Sequence, residues 1–353
     1  MSTLHSSTPQ ADRQQPDYHK QDMGATSLRE QILGFRNTQL IAVAAKLNLA
    51  FLLKDSPKSV KQVSLMVGGN EGALYRLLRA LSSIGIFEEI QDNLFRNTPT
   101  SELLMDETPG SLRSIAILYG EPWLWRAYGE LLQSVQTGLQ GFQYVHGKTL
   151  YEFLQQNPDA AAVFNKAMTA FSATESDAII QAYDFSLKNV IVDVGGGEGF
   201  LLSTLMKAYP NLSGVVLDLP VADRPENSGR IDPGIKYVYG DFFQEIPHGG
   251  DIYILKSILH NWNDESCVNI LRNCRKVMTD NSTLLVIERV VPEGNGKSDS
   301  KLFDINMLIM TEGRERTENE YRTLFNAAGF ILTRVVPTHS SLSIVEGRPV
   351  SHA

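Results

Sequence analysis

The pattern of hydrophobic and polar residues changes near residue 188. Before it, apolar residues recur mostly at helical spacing, as in 27–53 and through much of 111–183. After it, short β-branched runs alternate with helical stretches such as 199–208 and 264–278. Strands that alternate with helices predict an α/β doubly wound fold, in which helices cover both faces of a parallel sheet. The predicted strands are NVIVDVG, GVVLDLP, KYVYGD, DIYILK and TLLVIERV, with a late pair near 331–336 and 341–346.

The N-terminal third has the pattern of a winged helix. Two helical segments, 59–68 and 70–83, precede two short strands, 86–90 and 94–96, that are joined by a polar turn. Such a wing serves either DNA binding or dimerisation. The second helix offers two arginines, but acidic residues lie close to them in the sequence. We therefore favour dimerisation and keep DNA binding as the alternative.

Composition and charge exclude several function classes. The 353 residues are 42% hydrophobic and 20% charged, which is typical of a globular protein, and the net charge of −8 opposes binding along a phosphate backbone. No apolar run reaches the ~18 residues that span a bilayer, and residues 1–24 lack the apolar segment of a secretory signal. The two cysteines lie seven residues apart on a predicted helix, about 10 Å, too far for a disulfide. We expect a cytoplasmic protein that has no disulfide, no metal and no nucleic-acid or membrane partner.

The ends of the first three predicted strands carry a cofactor signature. The first strand leads into the glycine-rich turn Gly195–Gly199, where residues without Cβ allow positive φ and a close approach to a ligand. The second ends at Asp218, 19 residues beyond Gly199, at the place where an acidic side chain binds the ribose of an adenosine. The third leads into Asp241 and Phe242, suited to the amine and flat face of an adenine.

The turn favours one class of adenosine ligand. It reads GGGEG rather than GxGxxG, and Glu198 would repel a diphosphate at the start of the following helix. A cofactor with a cationic, amino-acid-bearing tail tolerates this carboxylate. The sequence therefore favours S-adenosylmethionine over a dinucleotide.

With this cofactor signature, the chain resembles the small-molecule O-methyltransferases typified by plant caffeate O-methyltransferases and bacterial phenazine and polyketide enzymes. The resemblance covers about 28–348 and rests on VDVGGGEG, VVLDLP, GDFF, LKSILHNWNDESC, VIERVVP and GRERTENEY, in the family's order. It implies a Rossmann-like methyltransferase domain behind a mainly α winged-helix domain that joins two subunits as a homodimer. It also implies transfer of a methyl group from S-adenosylmethionine to a hydroxyl of an aromatic or polyketide-like acceptor.

The resemblance assigns roles to individual residues. His260 is the expected general base, with Glu288 and Glu315 orienting its ring. A phenol of pKa ~10 needs such a base at neutral pH, and a carboxylate on the second ring nitrogen fixes the tautomer. The expected cofactor-binding residues are Gly195, Gly197, Asp218, Asp241, Phe242 and Lys256, and the expected acceptor-binding residues are Phe164, Met168, Met307 and Met310.

Two positions depart from the plant pattern. Asn261 stands where plant members commonly have Asp after the histidine, and Ser257 stands where they have Trp after the lysine. Both departures bear on the polarity and depth of the acceptor pocket.

The sequence thus divides into a flexible tail (1–25), a winged-helix-like dimerisation domain (26–110), a helical linker that contributes to the substrate pocket (111–185) and a cofactor-binding catalytic domain (186–353). Two alternatives to methyl transfer remain. One is a family member that binds the cofactor but catalyses a rearrangement, decarboxylation or hydroxylation. The other is a DNA-binding regulator whose second half senses a metabolite.

Overall fold

The computed structural model describes residues 18–219 and 234–350. The first helix begins at Tyr18, inside the segment 1–25 that we expected to be a flexible tail, and the rest of that segment up to residue 17 lies outside the described residues. Among the described residues, no helix has the length and apolarity that crossing a bilayer requires.

The N-terminal unit has the predicted two helices and wing. Its small antiparallel sheet has the order β1-β3-β2 and closes over a core that includes Leu78, Leu81, Phe87 and Phe95. Its elements are α1 (Tyr18–Leu33), α2 (Phe35–Lys46), α3 (Leu49–Leu52), β1 (Lys58–Ser59), α4 (Val60–Val67), α5 (Glu71–Ser83), β2 (Phe87–Gln91), β3 (Leu94–Asn97) and α6 (Pro99–Glu102).

The middle of the chain is helical, as its periodicity predicts. Its aromatic residues pack with one another and with two residues of a later helix, Ile309 and Met310. The elements are α7 (Arg113–Tyr119), α8 (Pro122–Gly129), α9 (Leu131–Thr137), α10 (Gly141–His146), α11 (Leu150–Gln156) and the long α12 (Pro158–Ala182).

The C-terminal half is a seven-stranded mixed sheet with the order β6-β5-β4-β7-β8-β10-β9. The first five of these strands are parallel, and the late pair β9 and β10 is antiparallel. The elements are β4 (Val190–Val194), α13 (Phe200–Ala208), β5 (Ser213–Asp218), β6 (Ile235–Tyr239), β7 (Ile252–Lys256), α14 (Asp264–Val277), β8 (Thr283–Glu288), α15 (Asp299–Met310), α16 (Glu318–Ala327), β9 (Phe330–Pro337) and β10 (Ser343–Pro349).

This sheet confirms the predicted doubly wound fold and brings the strand ends together. Because β5 and β7 lie on opposite sides of β4, the chain reverses its direction of travel across the sheet at β4, which is where such sheets bind ligands. The parallel register aligns Val194 with Leu217, and Lys256 with Ile287. The residues at the carboxyl ends of four strands therefore lie along one edge.

Candidate active site

The glycine-rich turn after β4 needs its glycines. Gly195, Gly197 and Gly199 have φ of +73°, +58° and +73°, values that favour glycine. A Cβ on Gly195 would also collide with the side chain of Ile258, so the turn after β7 packs directly against the glycine turn. A Cβ on Gly197 would meet no atom within 4 Å, so the turn opens on free space there. This arrangement fits a cofactor that approaches the backbone.

Asp218 holds the glycine turn in place. Its Oδ2 accepts a hydrogen bond from the Gly197 N–H at 2.6 Å, and its Oδ1 accepts one from the Leu219 N–H at 2.7 Å. Burial raises the pKa of Asp218, while these two N–H donors lower it. The carboxylate thus stands at the predicted strand end, beside the open side of the turn.

A second carboxylate, which the sequence analysis did not assign, lies beneath the turn. Asp193 is 2% exposed, and a Cβ on Gly196 would lie 2.6 Å from its Oδ2. Burial raises the pKa of Asp193 to about 7, although the charge of Lys256 opposes the rise. Its Oδ1 has no hydrogen-bond partner among the described residues. Asp193 is part of the VDVGGG motif, but the sequence does not show that it is buried, and its burial is what sets it apart.

Lys256, at the end of β7, forms an ion pair with a residue of helix α12. Its Nζ lies 2.6 Å from Oε2 of Glu175 and donates to Oγ of Ser172 at 3.2 Å. The Lys256 and Glu175 side chains are only 10% and 7% exposed. The pair ties the sheet edge to α12, and sequence reasoning missed it because its partners lie 81 residues apart. That Lys256 also contacts the cofactor stays a prediction.

Asp241 and Phe242 follow β6 and lie near the glycine turn. The Phe242 ring comes within 3.6 Å of the position of a Cβ on Gly195. Asp241 Oδ1 accepts a hydrogen bond from the Phe243 N–H at 2.9 Å, and Asn273 donates to the carbonyl oxygens of Phe242 and Phe243 at 3.0 and 2.8 Å. These bonds fix the segment against α14 and leave an aromatic ring at the edge of the crevice.

His260, on a 3-10 turn (Leu259–Asn261), is brought together with both predicted glutamates. Its Nδ1 lies 2.9 Å from Oε1 of Glu315 and 3.3 Å from Oε2 of Glu288. Its Nε2 has no hydrogen-bond partner among the described residues. Nδ1–H therefore donates to a carboxylate, and the lone pair of Nε2 is available to another molecule.

The two glutamates act differently on this turn. Glu288 Oε1 accepts the N–H groups of Ile258 and Leu259 at 2.9 Å each, so it holds the turn as well as the ring. Burial by itself lowers the pKa of His260, but the charges of Glu288 and Glu315 outweigh it and the pKa lies above its ordinary value. Burial also raises the pKa of Glu288. The site favours a positive imidazole once a proton has been taken up.

The backbone around His260 is tightly constrained. A Cβ on Gly313 would collide with the carbonyl oxygen of His260 and lie 2.5 Å from the Trp262 nitrogen. The fully buried Arg316 donates to the carbonyl oxygens of Leu259 and Trp262 at 3.1 and 2.8 Å, and it pairs with Asp264. The motif GRERT therefore holds the catalytic turn through its first, third and fourth residues, of which sequence reasoning identified only Glu315.

The two departures from the plant pattern lie on the same turn. Ser257 has φ +55°, unusual for a residue other than glycine. The Asn261 side chain donates to the carbonyl oxygen of Ser257 at 3.0 Å, and so closes the turn that carries His260. Asn261 has a structural contact here that the sequence did not reveal.

The predicted acceptor residues lie on two helices. Phe164 and Met168 of α12 are half-buried and pack against the cluster that contains Met310 of α15. Met307 and Met310 are each 4% exposed, and Met307 lies outside that cluster. The structure therefore brings Phe164, Met168 and Met310 together, but it does not place Met307 with them.

His260 and the two glutamates beside it have the composition of a metal site. One potential ligand atom from each of His260, Glu288 and Glu315 lies within 4.8 Å of the others. However, the Glu288 carboxylate already accepts backbone N–H groups and His260 Nδ1 is bonded to Glu315. We therefore still expect the group to work without a metal.

Comparisons with known proteins agree with this geometry. The O-methyltransferase dimerisation domain family matches residues 29–107, and the O-methyltransferase domain family matches residues 128–331. The phenazine O-methyltransferase PhzM of Lysobacter antibioticus is 39% identical over 92% of this chain and 96% of that one. The mitomycin biosynthesis 6-O-methyltransferase of Streptomyces lavendulae is 33% identical over 88% and 90%.

A solved structure extends the likeness to the cofactor. Human N-acetylserotonin methyltransferase in complex with S-adenosylmethionine superposes with a TM-score of 0.87 at 25% identity, over 97% of this chain and all of that one. The glycine turn and Asp218 of this chain fit such a cofactor. The chain thus belongs to the family of S-adenosylmethionine-dependent O-methyltransferases that carry an N-terminal dimerisation domain.

Proposed function

We propose that this enzyme methylates a hydroxyl group of an aromatic acceptor and that His260 is its general base. The observation that carries the proposal is the buried imidazole whose Nδ1 is bonded to Glu315 while its Nε2 is left without a partner among the described residues. A base held in this tautomer can accept a proton from one direction only. The carboxylates then stabilise the imidazolium that forms.

The charges around His260 match this task. A phenol of pKa ~10 is mostly protonated at neutral pH, so its oxygen becomes a good nucleophile only as the proton leaves. A raised pKa makes His260 a stronger base, and the nearby Glu288 and Glu315 oppose the return of the proton to the acceptor. S-adenosylmethionine supplies the electrophilic methyl group when it is bound.

The cofactor side of the crevice is formed by the first four strand ends. The contact between Ile258 and Gly195 supports this assignment, because it joins the histidine turn to the glycine turn. Asp218 binds the ribose, and the open face of the turn lets the amino-acid tail approach the backbone. The cofactor-binding set is Gly195, Gly197, Asp218, Asp241, Phe242 and Lys256.

The acceptor side is apolar and aromatic. Phe164 and Met168 of α12, with Met310 of α15, form a wall suited to a flat ring, because thioether and aromatic side chains pack well on π-surfaces. Met307 is also buried, but it lies outside this cluster. Aromatic acceptors also agree with the relatives, one of which acts on a phenazine.

The N-terminal unit makes the enzyme a homodimer. The dimerisation domain match supports this, and the acidic chain argues against the DNA-binding alternative. The cytoplasmic location expected from the sequence stays a prediction.

Replacement of His260 by Ala tests the proposal. We expect turnover to fall by about 10²–10⁴-fold, the usual contribution of a general base, with nearly unchanged affinity for S-adenosylhomocysteine. The control is His339→Ala, because His339 is exposed. Activity is read as mass gain from a labelled methyl group with a panel of phenols, anthraquinones and phenazines. Wild-type turnover in His260→Ala would remove His260 from this role, and product formed without mass gain would favour the non-methylating alternative.

A further inference from the structure

One buried cation near the active site makes no side-chain hydrogen bond to the described residues. Arg289 directly follows Glu288 at the end of β8, and its side chain is only 8% exposed. No hydrogen bond from its guanidinium reaches any described residue, and its buried Nε is without a partner. The other buried arginine of the described chain, Arg316, donates to three carbonyl oxygens and to Asp264. Burial of a charge with unused donors is costly, so Arg289 requires an explanation.

The carboxylate closest to Arg289 does not provide one. Asp299 Oδ2 lies 3.7 Å from Nε, beyond hydrogen-bond distance, and the Asp299 side chain is 72% exposed. A pair that is open to solvent on one side adds little and does not use the planar fork of donors. Among the described residues, the fork of donors therefore has no acceptor.

Arg289 and His260 have a common neighbour, the Phe303 ring. The Cζ of Arg289 lies 3.8 Å from the centre of the Phe303 ring, and that ring stacks on His260 with centroids 6.3 Å apart and planes inclined by 20°. The guanidinium and the imidazole are thus within about 10 Å of each other. The charge of Arg289 also acts on Tyr119, a residue that packs with the cluster around Phe164 and Met168.

We propose that Arg289 binds a carboxylate on the methyl acceptor, so that the enzyme prefers hydroxylated aromatic acids over neutral phenols. A guanidinium takes a carboxylate through two parallel N–H···O bonds, which orients as well as attracts the ligand. An aromatic ring that carries both a hydroxyl and a carboxylate would offer one group to each of the two side chains, Arg289 and His260. The inference rests on the proposed function, because it assumes that the hydroxyl faces His260.

A matched pair of ligands tests this directly. Binding of 1-hydroxy-2-naphthoate and of 1-naphthol, which differ only by the carboxylate, is measured by calorimetry in the presence of S-adenosylhomocysteine. We expect the wild type to bind the naphthoate at least about tenfold more tightly, as for a hydrogen bond between charged groups. Arg289→Met should remove this preference, Arg289→Lys should keep part of it, and the exposed-site control Arg322→Met should keep all of it.

Several results would overturn the proposal. In the wild type, these are equal affinities for the two ligands or no binding of the naphthoate. In Arg289→Met, one is an equal loss of affinity for both ligands. The other is a loss of S-adenosylhomocysteine affinity, which would assign the guanidinium to the cofactor. These results are independent of the His260 test. If His260→Ala loses turnover while the two ligands bind alike, the base assignment stands and only the carboxylate preference fails.

Discussion

Gly313 offers a test of how tightly the catalytic turn is held. A Cβ at this position would lie 2.5 Å from the Trp262 nitrogen and 2.6 Å from the carbonyl carbon of Asn261, whereas ordinary contact begins at 3.4 Å. Both neighbours are backbone atoms, which cannot rotate away. Gly313→Ala must therefore move the two segments apart by about 1 Å. The φ of Gly313 lies outside the left-handed region, so the effect is steric.

The consequence for activity follows from the position of Glu315, two residues downstream. Its bond to His260 is 2.9 Å long, so a separation of about 1 Å breaks it. Misplacement of a catalytic group by this amount costs about 100-fold in rate. We also expect a loss of about 1–3 kcal/mol in the free energy of unfolding, as for other overpacked sites. Cofactor affinity should change little, because the glycine turn and Asp218 are untouched.

Three measurements separate these effects. Steady-state kinetics gives kcat, calorimetry gives the affinity for S-adenosylhomocysteine, and thermal unfolding gives the stability. Gly296→Ala is the matched control, because a Cβ there would meet no atom within 4 Å and the backbone is not left-handed. Wild-type kcat in a folded Gly313→Ala enzyme would refute the view that the two segments must be in contact for His260 to be oriented.

Further predictions concern the charges of the site. Glu315→Gln should lower kcat by about 10²–10⁴-fold, because an amide orients His260 without stabilising its positive form. In the wild type the pKa of His260 is raised, so activity should be lost as the pH falls through a value above the ordinary ~6.5, and in Glu315→Gln this loss should move to lower pH. Identical pH profiles of kcat/KM for the two enzymes would contradict that coupling. Asp218→Ala should weaken S-adenosylhomocysteine binding by about 10–100-fold in calorimetry, since hydrogen bonds to a charged group are lost and Gly197 loses its acceptor; full affinity would show that the ribose assignment is wrong. Dialysis against a chelator should leave turnover unchanged, and recovery of lost activity by a divalent cation would instead assign a metal to the His260 group.

The sequence by itself determined the sheet and most of its helices. The alternation of β-branched runs with helical stretches is a local signal, and it favours a parallel sheet. The five parallel strands were therefore predicted correctly. The meeting of His260 and Glu288 also followed, because their motifs stand at the ends of β7 and β8, which a parallel sheet aligns. Glu315 lies between α15 and α16, and its place beside His260 was expected from the family resemblance alone. Helix α15 gives a weaker periodic signal, because its apolar residues do not keep to a single face.

Only the tertiary structure decided which side chains find a hydrogen-bond partner and which backbone segments are in contact. Nothing near Arg289 in the sequence separates it from a solvated surface residue, yet folding buries its guanidinium against Phe303, where no described residue accepts a hydrogen bond from it. Gly313 and Lys256 meet their partners across 53 and 81 residues of chain, so no local pattern encodes those contacts. Local sequence sets which elements form, through hydrogen bonding and side-chain shape. Contact and burial depend on how distant elements pack, and at this site they decide which groups are left for ligands.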